Sequence, residues 1–115
     1  NVDYSLTISV PSLTLDIQKD IIPRSFVLNQ NFPNPFNGST KISFTIPYQS
    51  QTKINVFNIN GAYVGTILNK KLNAGKHSIY LNTELINQNS VSSGTYFYQL
   101  NTTNNQRVRK FLYVK

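Results

Sequence analysis

The fold of this chain is decided by the stretch Leu28-Asn29-Gln30-Asn31-Phe32-Pro33-Asn34-Pro35-Phe36-Asn37-Gly38-Ser39-Thr40, which leads directly into an alternating strand. Its two prolines fix their own φ angles and keep the residue before each of them out of the helical region. Asparagine side chains bond to nearby backbone in turns. We therefore expect a rigid turn that caps one edge of a β-sandwich, with Phe32 and Phe36 packed on the core.

Outward from this stretch, apolar and polar residues alternate, and turn-forming residues interrupt the alternation about every 8–12 residues. In residues 40–46, for example, Ile42, Phe44 and Ile46 share one face, and Pro47 ends the strand. This pattern is typical of an all-β protein and predicts an immunoglobulin-like antiparallel β-sandwich of about seven strands. The expected strands after the opening turn are 40–46, 52–57, 63–68, 76–82, 94–100 and 107–114.

Glycine and asparagine mark the turns between these strands, because both tolerate positive φ. The hairpin-turn residues are Asn60, Gly61, Gly75 and Gly94, with a further turn at Asn104-Asn105. Residues 83–93 are ambiguous, and a crossover loop held by Leu85, Ile86 and Val91 is favoured over a helix.

The last strand carries apolar residues on both faces. Val108, Lys110, Leu112 and Val114 alternate with Arg109, Phe111, Tyr113 and Lys115. The strand is therefore either covered on both sides or offers one side to a partner. As an edge strand it would also expose unpaired backbone groups, which a partner can bind by strand addition.

The first twenty residues alternate as well, and they are either the tail of an upstream domain, a linker, or extra strands of this sandwich. A linker is expected around Lys19 to Pro23. The first residue is Asn, and no signal peptide is visible. We therefore expect the C-terminal part of a longer secreted protein, with the sandwich itself at residues 24–115.

Composition limits the class of protein. With 115 residues the chain forms one domain, and without cysteine it has neither disulfides nor thiolate metal sites. No apolar run approaches the ~20 residues of a membrane span. The net charge of +7 is concentrated from Ile21 onward, where Glu84 is the single acidic residue. This charge either favours anionic partners such as lipopolysaccharide or glycan, or is simply spread over a solvated surface.

The chemistry of an enzyme is missing. His77 is the single histidine and is expected in a solvent-facing turn, and three of the four carboxylates lie in the first twenty residues. No catalytic residue, metal site or cofactor is therefore predicted, and a calcium site at residues 31–37 would lack an acidic ligand. Tyr96 and Tyr98 are expected to be core residues rather than a sugar-stacking surface. No nucleic-acid module is visible.

Four segments together resemble the C-terminal sorting domains of the bacterial type IX secretion system. The opening stretch is similar to that family's L-x-Q-N-Y-P-N-P-F-N-P-S-T, with Phe32 in place of tyrosine and Gly38 in place of the third proline. Residues 56–61 resemble V-Y-D-x-x-G with Asn58 in place of the acidic residue, residues 72–77 resemble L-x-A-G-x-H, and residues 93–100 resemble S-G-x-Y-F-Y-x-L. The motif residues expected to form the structural turn are Asn31, Pro33, Asn34, Pro35, Phe36 and Asn37.

The resemblance implies a non-catalytic signal that directs an attached cargo protein across the outer membrane, after export through the periplasm, to the cell surface or medium. It implies a translocon and a sortase as partners. The implied recognition element consists of Arg107, Arg109, Lys110, Phe111, Leu112, Tyr113, Val114 and Lys115. The implied cleavage linker consists of Lys19, Asp20, Ile21, Ile22 and Pro23. The sortase would transfer the cargo to an anionic lipopolysaccharide.

Two other functions remain open from the sequence. One is an accessory adhesion or carbohydrate-binding sandwich, which an exposed aromatic row on one sheet would favour. The other is a self-associating module in which residues 1–17 complete the sheet of a neighbouring copy.

Overall fold

The computed structural model describes residues 25–83 and 91–115, and in them the chain forms seven strands. The strand bounds are β1 (Val27–Leu28), β2 (Ser39–Ile46), β3 (Ser50–Asn58), β4 (Tyr63–Leu72), β5 (Gly75–Asn82), β6 (Gly94–Asn101) and β7 (Gln106–Tyr113). The strand expected at residues 63–68 continues to Leu72, because it pairs along the full length of β3.

The strands form two antiparallel sheets, a three-stranded sheet in the order β1-β2-β5 and a four-stranded sheet in the order β4-β3-β6-β7. β2 pairs with β5 and β3 pairs with β6, so partners that are distant in sequence lie side by side. Three strands facing four with this connectivity make an immunoglobulin-like sandwich. The predicted fold class is confirmed.

The core lies between the inner faces of the two sheets, where the period-two alternation places the apolar side chains. Ile42, Ile46, Ile54, Tyr98 and Leu100 are all fully buried there. Thr52 is also fully buried, although its polar side chain gave no sign of this in the sequence; its hydroxyl donates to the backbone oxygen of Ser50 at 3.0 Å.

Two expectations about side-chain positions were wrong. Phe32 is 79% exposed instead of packing on the core, because its backbone pairs with Lys41, a residue of β2 that faces outward. His77 is half-buried within β5 rather than in a solvent-facing turn. Its ring stacks on that of Phe44, with 5.5 Å between the ring centroids, because the two residues are register partners.

Several expectations concern residues outside the described ranges. These are the assignment of residues 1–20, the linker of residues 19–23, and the positions of Leu85 and Ile86. Val91, the third residue expected to hold the crossover loop, is buried in the core.

Candidate functional site

The opening stretch and the last strand, which lie at opposite ends of the described sequence, are neighbours in space. Residues 28–36, called the motif segment below, run beside the outer edge of β7. Phe36 pairs with Tyr113 in a parallel bridge. The two elements therefore meet along this edge of the sandwich.

Backbone hydrogen bonds join the two elements at Phe36. Its N–H donates to the oxygen of Leu112 at 3.1 Å, and its oxygen accepts from the N–H of Val114 at 2.8 Å. The Asn34 side-chain oxygen accepts from the N–H of Leu112 at 2.8 Å, and the Gln30 side chain donates to the oxygen of Lys110 at 2.6 Å.

These bonds change one expectation. The edge of β7 is not a row of unpaired backbone groups open to strand addition, because the motif segment already occupies it from Lys110 to Val114. The rigid edge cap expected from the two prolines is present, and the strand that it covers is the last one. Both X–Pro bonds of the motif, Phe32-Pro33 and Asn34-Pro35, are cis.

Aromatic packing holds the same junction from the inside. The ring of Phe36 is buried, with its centroid 5.3 Å from that of Phe111 and 5.4 Å from that of Tyr113. Phe111 in turn stacks on Tyr96 at 5.4 Å. Such ring pairs add stability beyond the apolar area that they bury.

Asn31 is the polar centre of the motif segment and is only 2% exposed. Its side-chain nitrogen donates to the oxygen of Pro33 at 3.1 Å and to the hydroxyl of Thr40 at 3.0 Å. That hydroxyl donates to the same Pro33 oxygen at 2.7 Å, and the Asn31 side-chain oxygen accepts from Gln30 at 2.7 Å. A buried amide is tolerated because its groups are bonded.

Tyr98 connects this network to the four-stranded sheet. Its hydroxyl accepts from the N–H of Asn31 at 2.9 Å and donates to the oxygen of Asn29 at 2.7 Å. Burial raises the pKa of Tyr98 from 10.0 to about 12, while the hydrogen bond with Asn31 and the charge of Arg109 act in the opposite direction. The hydroxyl is therefore a neutral structural bridge at physiological pH.

Two arginines extend the contact toward the start of β7. Arg109 donates from Nε to the backbone oxygen of Leu28 at 2.6 Å. The guanidinium of Arg107 lies over the ring of Phe26, 5.3 Å from its centroid, in a cation–π contact. Both arginines thus have local partners on the motif side of the sandwich.

The structure divides the expected recognition residues into two groups. Phe111 and Tyr113 are buried in the core, so they hold the strand in place. Lys110, Leu112 and Val114 project from the opposite side of the strand and are exposed, as is Val108, which the resemblance did not single out. We call these four residues the outer face of β7. Lys115 is exposed, and its N–H donates to the hydroxyl of Ser93 at 2.7 Å.

A groove of about 380 Å³ lies where the motif meets the end of the chain. It is lined by Pro33, Pro35, Phe36, Asn37, Gly38, Ser39 and Val114. Asn37 is exposed and differs in this from Asn31. The groove and the outer face of β7 share Val114, so they form one continuous surface.

The expected hairpin glycines all have positive φ: +84° at Gly61, +130° at Gly75 and +152° at Gly94. A Cβ at any of them would meet open space, so the requirement for glycine comes from the backbone. At the first hairpin, the Asn58 side-chain oxygen accepts from the N–H groups of Asn60 and Ala62, both at 2.9 Å. Asparagine therefore performs the acceptor role that an acidic residue would have at this position.

Sequence reasoning missed Gln30, Thr40 and Tyr98 as parts of this site. Gln30 and Thr40 stand in the quoted stretch, but nothing in the sequence indicates which distant groups they bond. Tyr98 is expected in the core, because it shares a strand face with Tyr96 and Leu100. That pattern does not indicate which group its hydroxyl bonds.

Three properties of the described residues bear on function. Within residues 25–83 and 91–115 no group of three or more His, Cys, Asp and Glu side chains is placed to hold a metal ion. In the same part of the chain no helix is long and apolar enough to cross a membrane. Asp and Glu are absent from these ranges, so none of the lysines and arginines there has an acidic side chain beside it in the described structure.

A family model described as "Secretion system C-terminal sorting domain" matches residues 30–115, from Gln30 in the motif segment to the end of β7 and beyond. The match confirms the resemblance seen in the sequence motifs. No curated protein matches this chain.

Two solved structures are similar to the chain. One is PorZ, described as an essential bacterial surface component of the type-IX secretion system of Porphyromonas gingivalis, with 13% identity and a TM-score of 0.47; the similarity covers 78% of this chain and 11% of that one. The other is the Ig1 domain of mouse SynCAM 2, with 15% identity and a TM-score of 0.39, covering 80% of this chain and 95% of that one.

Proposed function

We propose that this chain, which belongs to the family of secretion system C-terminal sorting domains, directs an attached protein through the type IX secretion system. It acts as a non-catalytic signal domain. The observation that carries the proposal is that the motif segment is bonded along the edge of β7. The family's signature stretch and the end of the chain thereby form one rigid unit.

The translocon recognises the outer face of β7 together with the adjoining groove. Lys110 supplies a positive charge between the apolar side chains of Val108 and Leu112, and Leu112 and Val114 are 40% and 51% exposed. Exposed apolar side chains held on a rigid strand lose little conformational entropy on binding. Because the edge is occupied, recognition proceeds through side chains rather than through strand addition.

Further steps follow from the family resemblance. The cargo lies upstream of the sandwich, and the sortase cuts within Lys19 to Pro23 and transfers the cargo to an anionic lipopolysaccharide. The product reaches the cell surface or the medium.

A secretion assay tests the proposal. A fluorescent reporter is fused in front of the chain and expressed in a type IX-competent host, and its amounts in periplasm and medium are measured. Deleting residues 107–115 would remove Phe111 and Tyr113 from the core, so the informative variant is the double substitution Lys110→Glu and Leu112→Ser on the outer face of β7.

The matched control is the double substitution Lys70→Glu and Tyr63→Ser on β4, at the opposite edge of the same sheet. Both control residues are exposed. We expect the β7 variant to stay in the periplasm while the control and the unmodified fusion are exported. Export of all three, or retention of the unmodified fusion, would contradict the proposal, provided that thermal unfolding shows both variants folded.

A further inference from the structure

The outer face of the three-stranded sheet carries an aromatic–lysine–aromatic row. Phe32 and Lys41 exchange two backbone hydrogen bonds, at 3.0 and 2.9 Å, and Tyr80 is the register partner of Lys41 on β5. Directly opposed residues of antiparallel strands project from the same face. The three side chains are therefore neighbours, and both rings are largely in solvent, Phe32 at 79% and Tyr80 at 70%.

The spacing of the two rings is fixed by the sheet. Adjacent strands lie about 4.8 Å apart, so Phe32 and Tyr80, separated by β2, are roughly 10 Å apart. This is close to the length of a disaccharide unit. The side chain of Phe32 does not pack on the core. Its backbone is held in place because the buried side chain of Asn31, the residue before it, bonds to the oxygen of Pro33, the residue after it.

A polar groove of about 290 Å³ adjoins this row. Lys41 belongs to both the row and the groove, and Lys76 also lines the groove. The remaining polar residues that line it are Asn29, Ser43, Thr45, His77 and Ser78. The groove thus offers two ammonium groups and several hydrogen-bonding groups.

Thr45 adds a further hydrogen-bonding group to the groove. It is only 8% exposed, and its side-chain hydroxyl has no hydrogen-bond partner among the described residues. A buried hydroxyl without a partner costs free energy. A ligand hydroxyl or carboxylate in the groove would supply the missing bond.

We propose that this face binds an acidic polysaccharide, of the uronic-acid type. Phe32 and Tyr80 stack on the faces of sugar rings, and Lys41 and Lys76 bind the carboxylates. Residues 25–83 and 91–115 contain no Asp or Glu that would repel such a ligand. The site lies on the sheet opposite β7 and does not depend on the proposed secretion function.

The test is calorimetric titration of the whole chain with a galacturonate hexamer, against neutral cellohexaose and against a glutamate oligomer of equal charge. We expect the acidic saccharide to bind and the other two to bind at least about tenfold more weakly, because only it combines charge with stacking faces. Equal binding of the glutamate oligomer would overturn the proposal in favour of simple charge attraction.

Matched variants locate the site. Tyr80→Ala and Phe32→Ala should each weaken binding by about tenfold, whereas Tyr63→Ala on the other sheet should leave it unchanged. Lys41→Ala should likewise weaken binding more than Lys53→Ala, which removes the same charge from the other sheet. Equal losses in either pair, or no binding of the hexamer, would overturn the proposal; thermal unfolding checks that each variant is folded.

Discussion

At the residue scale, the three asparagines of the motif have three different roles. Asn31 is buried and bonds to Pro33 and Thr40, Asn34 bonds to the N–H of Leu112, and Asn37 is exposed beside the groove. The same side chain thus contributes to folding, to the junction with β7, and to the surface. Their effects on stability should differ accordingly.

We expect Asn31→Ala to lower the free energy of unfolding by about 1–3 kcal/mol, because it removes the hydrogen bonds that the buried Asn31 side chain makes to the Pro33 oxygen and the Thr40 hydroxyl. Asn37→Ala is the matched control and should change the free energy of unfolding by less than about 0.5 kcal/mol. Urea denaturation measures both. Equal effects of the two substitutions would show that Asn31 does not organise the turn.

The Tyr98 hydroxyl makes the free energy of unfolding depend on pH. Its pKa is about 12 in the folded chain and about 10 in the unfolded chain, so the unfolded chain releases this proton first. The contribution of the neutral hydroxyl is fully present below pH 10 and is lost as the pH rises toward 12. We expect the free energy of unfolding to fall over this range, and to fall less steeply in Tyr98→Phe; identical slopes would contradict the assignment.

The sequence alone does not indicate which residues of the motif are buried and which are exposed. Pro33 and Pro35 favour a rigid turn through their own stereochemistry, so this prediction needs no other part of the chain. Burial of Asn31 depends on Thr40 and on Tyr98, which lies 67 positions further along the chain. Phe32 and Phe36 look equivalent in the sequence, but backbone pairing with Lys41 turns the first outward.

At the scale of elements, the motif segment and β7 stabilise each other. The segment supplies Phe36 to the core, and β7 supplies the backbone groups that satisfy the turn. Without the other element, the backbone N–H and C=O groups along this edge would be bonded only to water. The junction therefore fixes the position of β7 relative to the motif segment.

We expect Phe36→Ala to lower the free energy of unfolding by about 3–5 kcal/mol, because it leaves a cavity beside Phe111 and Tyr113. Phe32→Ala, in the same motif but exposed, should cost less than about 0.5 kcal/mol. Denaturation monitored by circular dichroism measures the difference. Similar costs for the two phenylalanines would contradict the observed packing.

Most strands were predictable from the sequence because their alternation is local. Ile42, Phe44 and Ile46 identify the inner face of β2 without reference to any other strand. Strand pairing is not local: Gln30 bonds to Lys110, 80 positions away, and nothing in the alternation reveals this. The prediction that β7 has an open edge was wrong for that reason.

At the scale of the whole molecule, the motif segment joins the beginning and the end of the sandwich. Most residues of the two proposed surfaces lie on different sheets, with Lys41 and Tyr80 on the three-stranded sheet and the outer face of β7 on the four-stranded sheet. The absence of Asp and Glu from the described residues leaves both surfaces positive.

The most direct test of this account is amide hydrogen exchange of the folded chain, followed by NMR, at Val108, Leu112 and Val114. All three N–H groups point to the outer edge of β7, but only the last two are bonded to the motif segment. We predict that Leu112 and Val114 exchange as slowly as the core amides of β6, while Val108 exchanges rapidly. Exchange of Leu112 and Val114 as fast as that of Val108 would show that the edge is open, and would contradict the joint surface on which the proposed sorting function depends.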